Sequence, residues 1–225
     1  MLQSLAPNLW ELNAPMTVVG MRIGHRMTVA RLRDDSLWLH SPVEHTPELA
    51  AALAALGPVQ HIVAPNTMHD TYLEGWFAAY PQARFHGPKG MSKARPDLRF
   101  TDTLADSPPP EWSGMFDLYR IRGMPRLNEV VFLHRPSRTL ILTDLVFNIH
   151  DQDMPFLSRT LLQLNDCYCK LGPSRLLKST IKDRDAVRES LDHIFEWDFD
   201  RVVVSHGDNI ATGGNAKLRG AFAFL

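Results

Sequence analysis

The chain has 225 residues, of which 24 are basic and 25 acidic, so its formal net charge is -1. Apolar residues make up 44% of the sequence and charged residues 22%, values typical of a globular protein that argue against disorder or a fibrous repeat. Proteins that wrap nucleic acid or bind anionic membranes carry a basic excess, which this chain lacks. We therefore expect a small-molecule substrate, with no nucleic-acid partner and no membrane partner.

The sequence has no membrane-length apolar segment and only two cysteines. No run reaches the ~20 apolar residues that cross a bilayer, and residues 1–15 lack the basic and apolar regions of a signal peptide. Cys167 and Cys169 are too close in sequence for an unstrained disulfide. On a strand their side chains would point the same way, and we favour two half-buried small residues over a metal site. We expect reduced thiols in a cytoplasmic protein.

Apolar patterns predict that each half of the chain runs from strands into strand–helix units. The expected strands are 17–23, 26–33, 36–40, 59–64, 83–86, 116–121, 129–134, 139–143 and 201–205. The expected helices are 47–56, 72–80 and 185–196. Gly24 and His25 form the turn between the first two strands. This order predicts one α/β domain with two similar layers.

Residues 151–180 fit neither pattern cleanly. Their leucines indicate a helical segment inserted into the domain. We expect this segment to serve as a lid over the site or as a contact in a homodimer, because Met154, Phe156 and Leu157 are apolar enough for either role.

Three apolar strands lead to a residue of a type that binds metals. These residues are His69, Asp144 and His206. Strand ends in a sheet covered by helices project side chains from a rigid frame into a crevice. Two imidazoles and one carboxylate are a sufficient ligand set for one Zn, Fe or Mn ion.

Each of the three residues also has a plainer interpretation. In that interpretation His69 caps the helix at 72–80. Asp144 accepts hydrogen bonds from backbone amides of the following turn, and His206 is a hydrogen-bonded histidine in a turn. The spacing of the residues does not separate these alternatives from a metal site.

The order of elements and three short strings resemble the metallo-β-lactamase fold. The string TLILTD, which ends at Asp144, resembles the strand before the family's metal-bridging Asp. The string VVVSH, which ends at His206, resembles the strand before the last metal His, and VAPNTMH, which ends at His69, lies where the family has its HxHxDH loop. The resemblance implies an αββα four-layer sandwich, with two mixed sheets and helices outside, as a single domain over residues 1–225.

A more specific resemblance is to the domains of unknown function DUF4336, which are similar in fold. It is based on the strings LWLHSP, FLHRPSRTL and TDL and on the segment from Asn66 to His69. This resemblance implies no particular reaction.

Departures from the HxHxDH motif limit the metal site that the resemblance implies. If His69 takes the last His of the motif, its other ligand positions are occupied by Ala64, Asn66 and Met68. The His that precedes the family's hairpin is absent as well. The resemblance therefore implies at most a mononuclear site, with one divalent ion, Zn or Fe, held by His69 and the two strand-end residues.

Nearby polar residues are candidates for completing such a site. Asn66 and Glu129 are the nearest candidates for a further oxygen ligand, and Asp70 is the nearest candidate for a catalytic general base. The alternative for Glu129 is an ion pair with Arg126 or Arg138 at the hairpin.

The leading functional prediction is a metal-dependent hydrolase with a mononuclear site. A bound divalent ion lowers the pKa of its water from about 15.7 to about 7 and polarises a carbonyl or phosphoryl oxygen. With Fe, the same ligands would suit a mononuclear oxidoreductase. The alternative from another class is a metal-free, degenerate member of the fold that binds a ligand or a protein, which the lost ligands of the second metal favour.

Overall fold

Thirteen strands and seven α-helices follow one another in the computed structural model, which describes residues 1–225. The strands are β1 (Gln3–Ala6), β2 (Leu9–Ala14), β3 (Thr17–Val18), β4 (Met21–Arg22), β5 (His25–Arg31), β6 (Leu37–His40), β7 (Val59–Val63), β8 (Arg84–Gly87), β9 (Asp102–Thr103), β10 (Phe116–Arg120), β11 (Val130–His134), β12 (Thr139–Leu142) and β13 (Arg201–Val204). The helices are α1 (Pro47–Ala54), α2 (Leu73–Ala79), α3 (Met91–Ala94), α4 (Phe156–Leu164), α5 (Arg175–Ser179), α6 (Arg184–Phe195) and α7 (Gly214–Ala221).

The strands form two mixed sheets and one small hairpin. The larger sheet has the order β1-β2-β5-β6-β7-β8-β9, antiparallel as far as β6 and parallel from there to β9. The smaller sheet has the order β10-β11-β12-β13, in which only the last pair is parallel. Strands β3 and β4 pair only with each other.

The two sheets pack face to face, with helices on both outer surfaces. Trp38 of the larger sheet lies between them, with its ring centroid 4.4 Å from that of Phe116 and 5.2 Å from that of Phe132 in the smaller sheet. Helices α1 and α2 cover the outer face of the larger sheet through residues such as Leu53. Helices α6 and α7 cover the smaller sheet through residues such as Leu191. The predicted αββα four-layer architecture is confirmed.

Local sequence signals placed several elements correctly. Helix α1 begins at Pro47, and the Oγ1 atom of Thr46 accepts a hydrogen bond from the backbone N–H of Leu49 at 3.2 Å. An N-cap hydroxyl of this kind satisfies one of the helix's first four N–H groups. The predicted hairpin is β11 and β12, and the predicted helix 185–196 is α6 within one residue at each end.

The N-terminal region differs from the prediction. The expected strand 17–23 is the hairpin β3–β4, whose turn places Val19 and Gly20 at φ values of 48° and 79°. The β-branched residues favoured one continuous strand, but Gly20 packs against Leu161 of α4, and a side chain there would lie about 3.2 Å from it. His25 is the first residue of β5 rather than a turn residue. Strands β1 and β2 and helix α7 were not predicted.

The segment 151–180 contains α4 and α5 and lies beside the β3–β4 hairpin. The backbone N–H of Arg22 donates to Ser158 Oγ of α4 at 2.7 Å. Cys167 is buried beside Leu162, whereas Cys169 is exposed. The expectation of two similarly half-buried cysteines is therefore wrong, because the pair lies in a loop and not on a strand. None of the helices is both long and apolar enough to span a bilayer.

Five buried histidines remain neutral in the fold. Burial lowers the pKa of His25 and His86 to about 3 and that of His134 to about 4. Burial also lowers the pKa of His40 and His61 below the ordinary value. Each of these side chains binds a proton more readily in the unfolded chain than in the folded protein.

We expect the free energy of unfolding to fall steeply as the pH drops below about 6.5. The unfolded chain binds protons near the ordinary histidine pKa of 6.5, but in the folded protein the pKa is about 3 to 4 for His25, His86 and His134 and is lowered for His40 and His61. Their contribution is thus intact above pH 6.5 and is lost as the pH falls through that window. His40→Leu removes one such group, whose ring nitrogens have no partner, and should flatten the slope by about 1.4 kcal/mol per pH unit. Urea unfolding at pH 7, 5.5 and 4.5 measures this slope, and an unchanged slope would contradict the assignment.

Candidate metal centre

The structure brings the three predicted ligands together at one edge of the sandwich. His69 Nε2 lies 3.0 Å from Asp144 Oδ2, and His206 Nε2 lies 3.1 Å from Asp144 Oδ1. One donor atom from each residue lies within 4.8 Å of the other two, and all three residues are buried. Their role as metal ligands is a prediction that this geometry supports.

Strand topology explains why residues so far apart in sequence meet here. Strands β12 and β13 are parallel neighbours with Leu142 paired to Val204, so Asp144 and His206 leave the sheet at the same edge. In the larger sheet, β7 leads into the loop that carries His69. Two backbone hydrogen bonds join this loop to the start of β11: the N–H of Val130 donates to the oxygen of Pro65, and the N–H of Thr67 donates to the oxygen of Leu127.

Glu129 fixes the backbone that carries Asp144. Its buried carboxylate accepts hydrogen bonds from the backbone N–H groups of Thr143, Asp144 and Leu145 at 2.7, 2.9 and 3.0 Å. The expected ion pair of Glu129 with Arg126 or Arg138 does not form, and neither carboxylate oxygen is free to serve as a ligand. Burial and the charge of Asp144 raise the pKa of Glu129 to about 7.

Asn66 orients both Asp144 and the loop of His69. Its Nδ2 donates to Asp144 Oδ2 at 2.7 Å and to Thr143 Oγ1 at 2.9 Å. Its Oδ1 accepts from the backbone N–H groups of Met68 and His69 at 2.7 and 3.1 Å. Because the amide oxygen is occupied by backbone donors, Asn66 does not fit the predicted role of oxygen ligand.

The hydrogen bonds of His206 leave a lone pair facing a carboxylate. The Nδ1 atom lies 2.7 Å from the backbone oxygen of Gly24, and because a carbonyl only accepts, Nδ1 carries the proton. In a neutral ring Nε2 is then an acceptor, and it faces Asp144 Oδ1 at 3.1 Å. Two acceptors in contact require a positive charge, either a second ring proton or a metal ion. The donor set therefore fits a divalent cation.

His69 is held by a buried hydroxyl and a second imidazole. Its Nδ1 lies 2.7 Å from Ser41 Oγ, a contact that fixes the orientation of the ring and leaves Nε2 facing Asp144. The His25 ring stacks on that of His69, with centroids 5.0 Å apart. His25 Nε2 donates to the backbone oxygen of Ser41 at 3.0 Å, and its Nδ1 is buried without a partner.

Charges within the triad determine its ionisation. Burial raises the pKa of Asp144, but the neighbouring His69 and His206 outweigh this effect and hold the pKa well below its usual range. Asp144 is therefore an anion, which is the form that binds a metal.

Residues 24–26 support the site and were missed in the sequence. Gly24 supplies the acceptor for His206, and His25 packs against His69. The Arg26 guanidinium donates to the backbone oxygens of Val204 and Gly207, on either side of His206, and pairs with Glu11. The contacts of Gly24 and Arg26 with residues 204–207 join segments about 180 positions apart, and such long-range contacts leave no local pattern in a sequence.

The structure does not bring Asp70 to the triad. Its carboxylate is paired with the Arg95 guanidinium, and it does not line the cavity above the triad. The predicted role of Asp70 as general base therefore does not fit the geometry. His69 does not cap the following helix either, because α2 begins after Tyr72 with no side-chain cap.

A cavity of about 340 Å³ lies over the triad. The β3–β4 hairpin and the segment with α4 and α5 form much of its wall, with apolar side chains from each. Asp144 is the only carboxylate in its lining, and no lysine or arginine lines it. The triad therefore faces an enclosed, mostly apolar space of the size of a small-molecule site.

We expect Glu129→Gln to destabilise the protein and loosen Asp144. The substitution puts an N–H group against backbone donors, which leaves at least one buried donor unsatisfied at a cost of about 1–3 kcal/mol. Urea unfolding at pH 8, above the pKa of Glu129, measures the loss. Glu111→Gln is the control, since Glu111 makes an ion pair with Arg84 at the surface that is worth at most about 1 kcal/mol. Equal effects of the two substitutions would contradict the supporting role of Glu129.

Solved structures share the fold of this chain at low sequence identity. A metallo-β-lactamase from Pontibacter korlensis is 16% identical with a TM-score of 0.64, and 96% of each chain is covered. One from Erythrobacter litoralis is 11% identical with a TM-score of 0.69, covering 100% of this chain and 96% of the other. The metallo-β-lactamase FIM-1 from Pseudomonas aeruginosa, solved in its mono-zinc form, is 9% identical with a TM-score of 0.65, covering 99% and 91%.

Comparison of sequences identifies the family. No curated protein matches the chain. The model of the family described as "Domain of unknown function (DUF4336)" matches residues 7–166, which include His69 and Asp144 but not His206. The chain thus has the metallo-β-lactamase fold and belongs to the DUF4336 family.

Proposed function

We propose that the protein is a metal-dependent hydrolase with a mononuclear centre held by His69, Asp144 and His206. The observation that carries this proposal is the contact between the His206 Nε2 lone pair and the Asp144 carboxylate at 3.1 Å. His206 and Asp144 would hold a divalent ion together with His69, and the ion would supply the positive charge that this contact requires. One fold neighbour was solved in a mono-zinc form, which supports the proposal that a site in this fold can hold a single ion.

The residues around the triad have distinct roles in this proposal. A bound divalent ion would supply Lewis-acid chemistry, lowering the pKa of water and polarising a carbonyl oxygen. Glu129 and Asn66 hold Asp144 in place, and Gly24 and Ser41 set the orientations of the two imidazoles. The apolar walls of the cavity exclude water around the reacting group, which strengthens electrostatic interactions there.

Asp144 is the group that receives a proton in this proposal. It is the only carboxylate that lines the cavity, and its Oδ2 is fixed by Asn66 and faces His69. A proton that Asp144 receives from water would pass on to the leaving group.

The fold neighbours' names do not give the substrate. Those proteins are named as β-lactamases, and β-lactam antibiotics carry a carboxylate at neutral pH. The cavity of this chain contains no lysine or arginine to pair with such a group, so we do not propose β-lactams as substrates.

We expect protein purified without added ions to contain about one equivalent of Zn, Fe or Mn by elemental analysis. Asp144→Ala and His206→Ala should reduce this content at least tenfold, because each removes one of three ligands. His150→Ala is the matched control, since His150 is exposed and lies outside the triad, and it should retain the metal. Less than a tenth of an equivalent, both as purified and after dialysis against Zn, would favour a metal-free binding module. Iron as the bound metal would favour redox chemistry.

We expect hydrolysis of a small ester to be abolished by a chelator and restored by one equivalent of metal. Asp144→Asn should lower the rate at least a hundredfold, because it removes both a ligand and a proton acceptor. Asp70→Asn should change the rate less than tenfold, because Asp70 is paired with Arg95 away from the cavity. Activity that survives the chelator, or equal losses in the two variants, would contradict the proposed mechanism.

A further inference from the structure

The cavity over the triad offers no partner for a charged substrate. Its polar lining apart from the triad consists of neutral groups, including Thr71, Asn165 and Ser174. His25 also lines the cavity, and its Nε2 is engaged by the backbone oxygen of Ser41 at 3.0 Å. A carboxylate or phosphate bound in the cavity away from the triad would lose its hydration without meeting a side-chain cation.

Apolar side chains continue from the cavity wall to its mouth. Inside, Phe147 and Leu162 are part of the lining. Val18, Met68 and Leu176 line the mouth of the cavity, and the exposed fractions of these residues are 43%, 50% and 66%. Large apolar side chains that remain this exposed around one opening indicate that the molecule using the opening is itself apolar.

We propose that the substrate is an uncharged acyl ester or amide with an apolar chain, bound with its carbonyl at the triad and its chain along the wall from Leu162 to Leu176. This inference assumes that the triad is the site of the proposed hydrolysis. In the reaction, water's oxygen bonds to the acyl carbon and the bond from that carbon to the leaving oxygen or nitrogen breaks. One proton of the water goes to the leaving group, and the products are a carboxylic acid and an alcohol or amine. No redox partner is needed.

The charge of the products follows from this chemistry. The acid formed ionises at neutral pH, so it becomes an anion in a cavity without a side-chain cation and beside Asp144.

Binding to the full-length protein after removal of metal with EDTA tests this inference without catalysis. The probes are straight-chain amides from butanamide to octanamide and the carboxylates of the same lengths, titrated by calorimetry. We expect the amides to bind about fourfold tighter for each added methylene until the cavity is filled. Each amide should bind at least tenfold tighter than its matched carboxylate. Without metal, a carboxylate cannot gain affinity as a ligand, and failure of the proposed metal chemistry does not affect this result.

Two lysine variants test whether the preference for amides over carboxylates depends on the lining of the cavity. Leu176→Lys places a cation at the mouth and should reduce or abolish the preference, with carboxylates binding at least tenfold tighter than they do to the wild type. Leu164→Lys is the matched control, because Leu164 is 63% exposed on α4 but does not line the cavity, and it should leave both affinities unchanged. Wild-type affinities that are equal for the two series, independent of chain length, or undetectable would overturn the inference. So would equal effects of the two lysine variants.

Discussion

Two carboxylates buried side by side are the constraint on which the site depends. Asp144 and Glu129 are both enclosed between the sheets, and their charges act on each other. Burial of an unpaired charge costs several kcal/mol, yet no lysine or arginine reaches either group. Backbone and amide donors satisfy the oxygens of Glu129, whereas the oxygens of Asp144 face the two imidazoles of His69 and His206. In the proposed function, a divalent cation would supply the positive charge that this arrangement requires.

The fold holds the residues around Asp144 in a defined geometry. The parallel pair β12–β13 brings Asp144 and His206 to one edge, and the facing sheet contributes His69 and residues 24–26. Asn66 stands where the family motif has a metal-binding His, and it has become the link between Asp144 and the His69 loop. Asn66 takes the place of a metal-binding His of the motif, yet it orients Asp144 and His69. A site for one ion can therefore remain ordered although the ligands of a second ion are absent.

Features that depend on neighbouring residues were predictable from the sequence, whereas features that depend on long-range contacts were not. The cap and proline of α1, the hairpin turn, and the apolar strands that lead to Asp144 and His206 have short-range signatures, and the structure contains all of these elements. Gly24 and His25 looked like a turn, because nothing in the adjacent residues indicates contacts with His206 and His69. Asp70 follows His69 directly, but proximity in sequence did not predict its ion pair with Arg95.

The segment 151–180, which the sequence left least defined, shapes the environment of the triad. Helix α4 packs on the β3–β4 hairpin, and together they close the cavity with apolar side chains. In such surroundings the effective dielectric is low, so each interaction between Asp144, the imidazoles and a cation is stronger than it would be in water. The same low dielectric penalises a charged group that binds away from the triad, where no side-chain cation lines the cavity. The proposed binding of a cation at the triad and the proposed preference for uncharged groups elsewhere in the cavity therefore have one physical cause, which is the apolar lining.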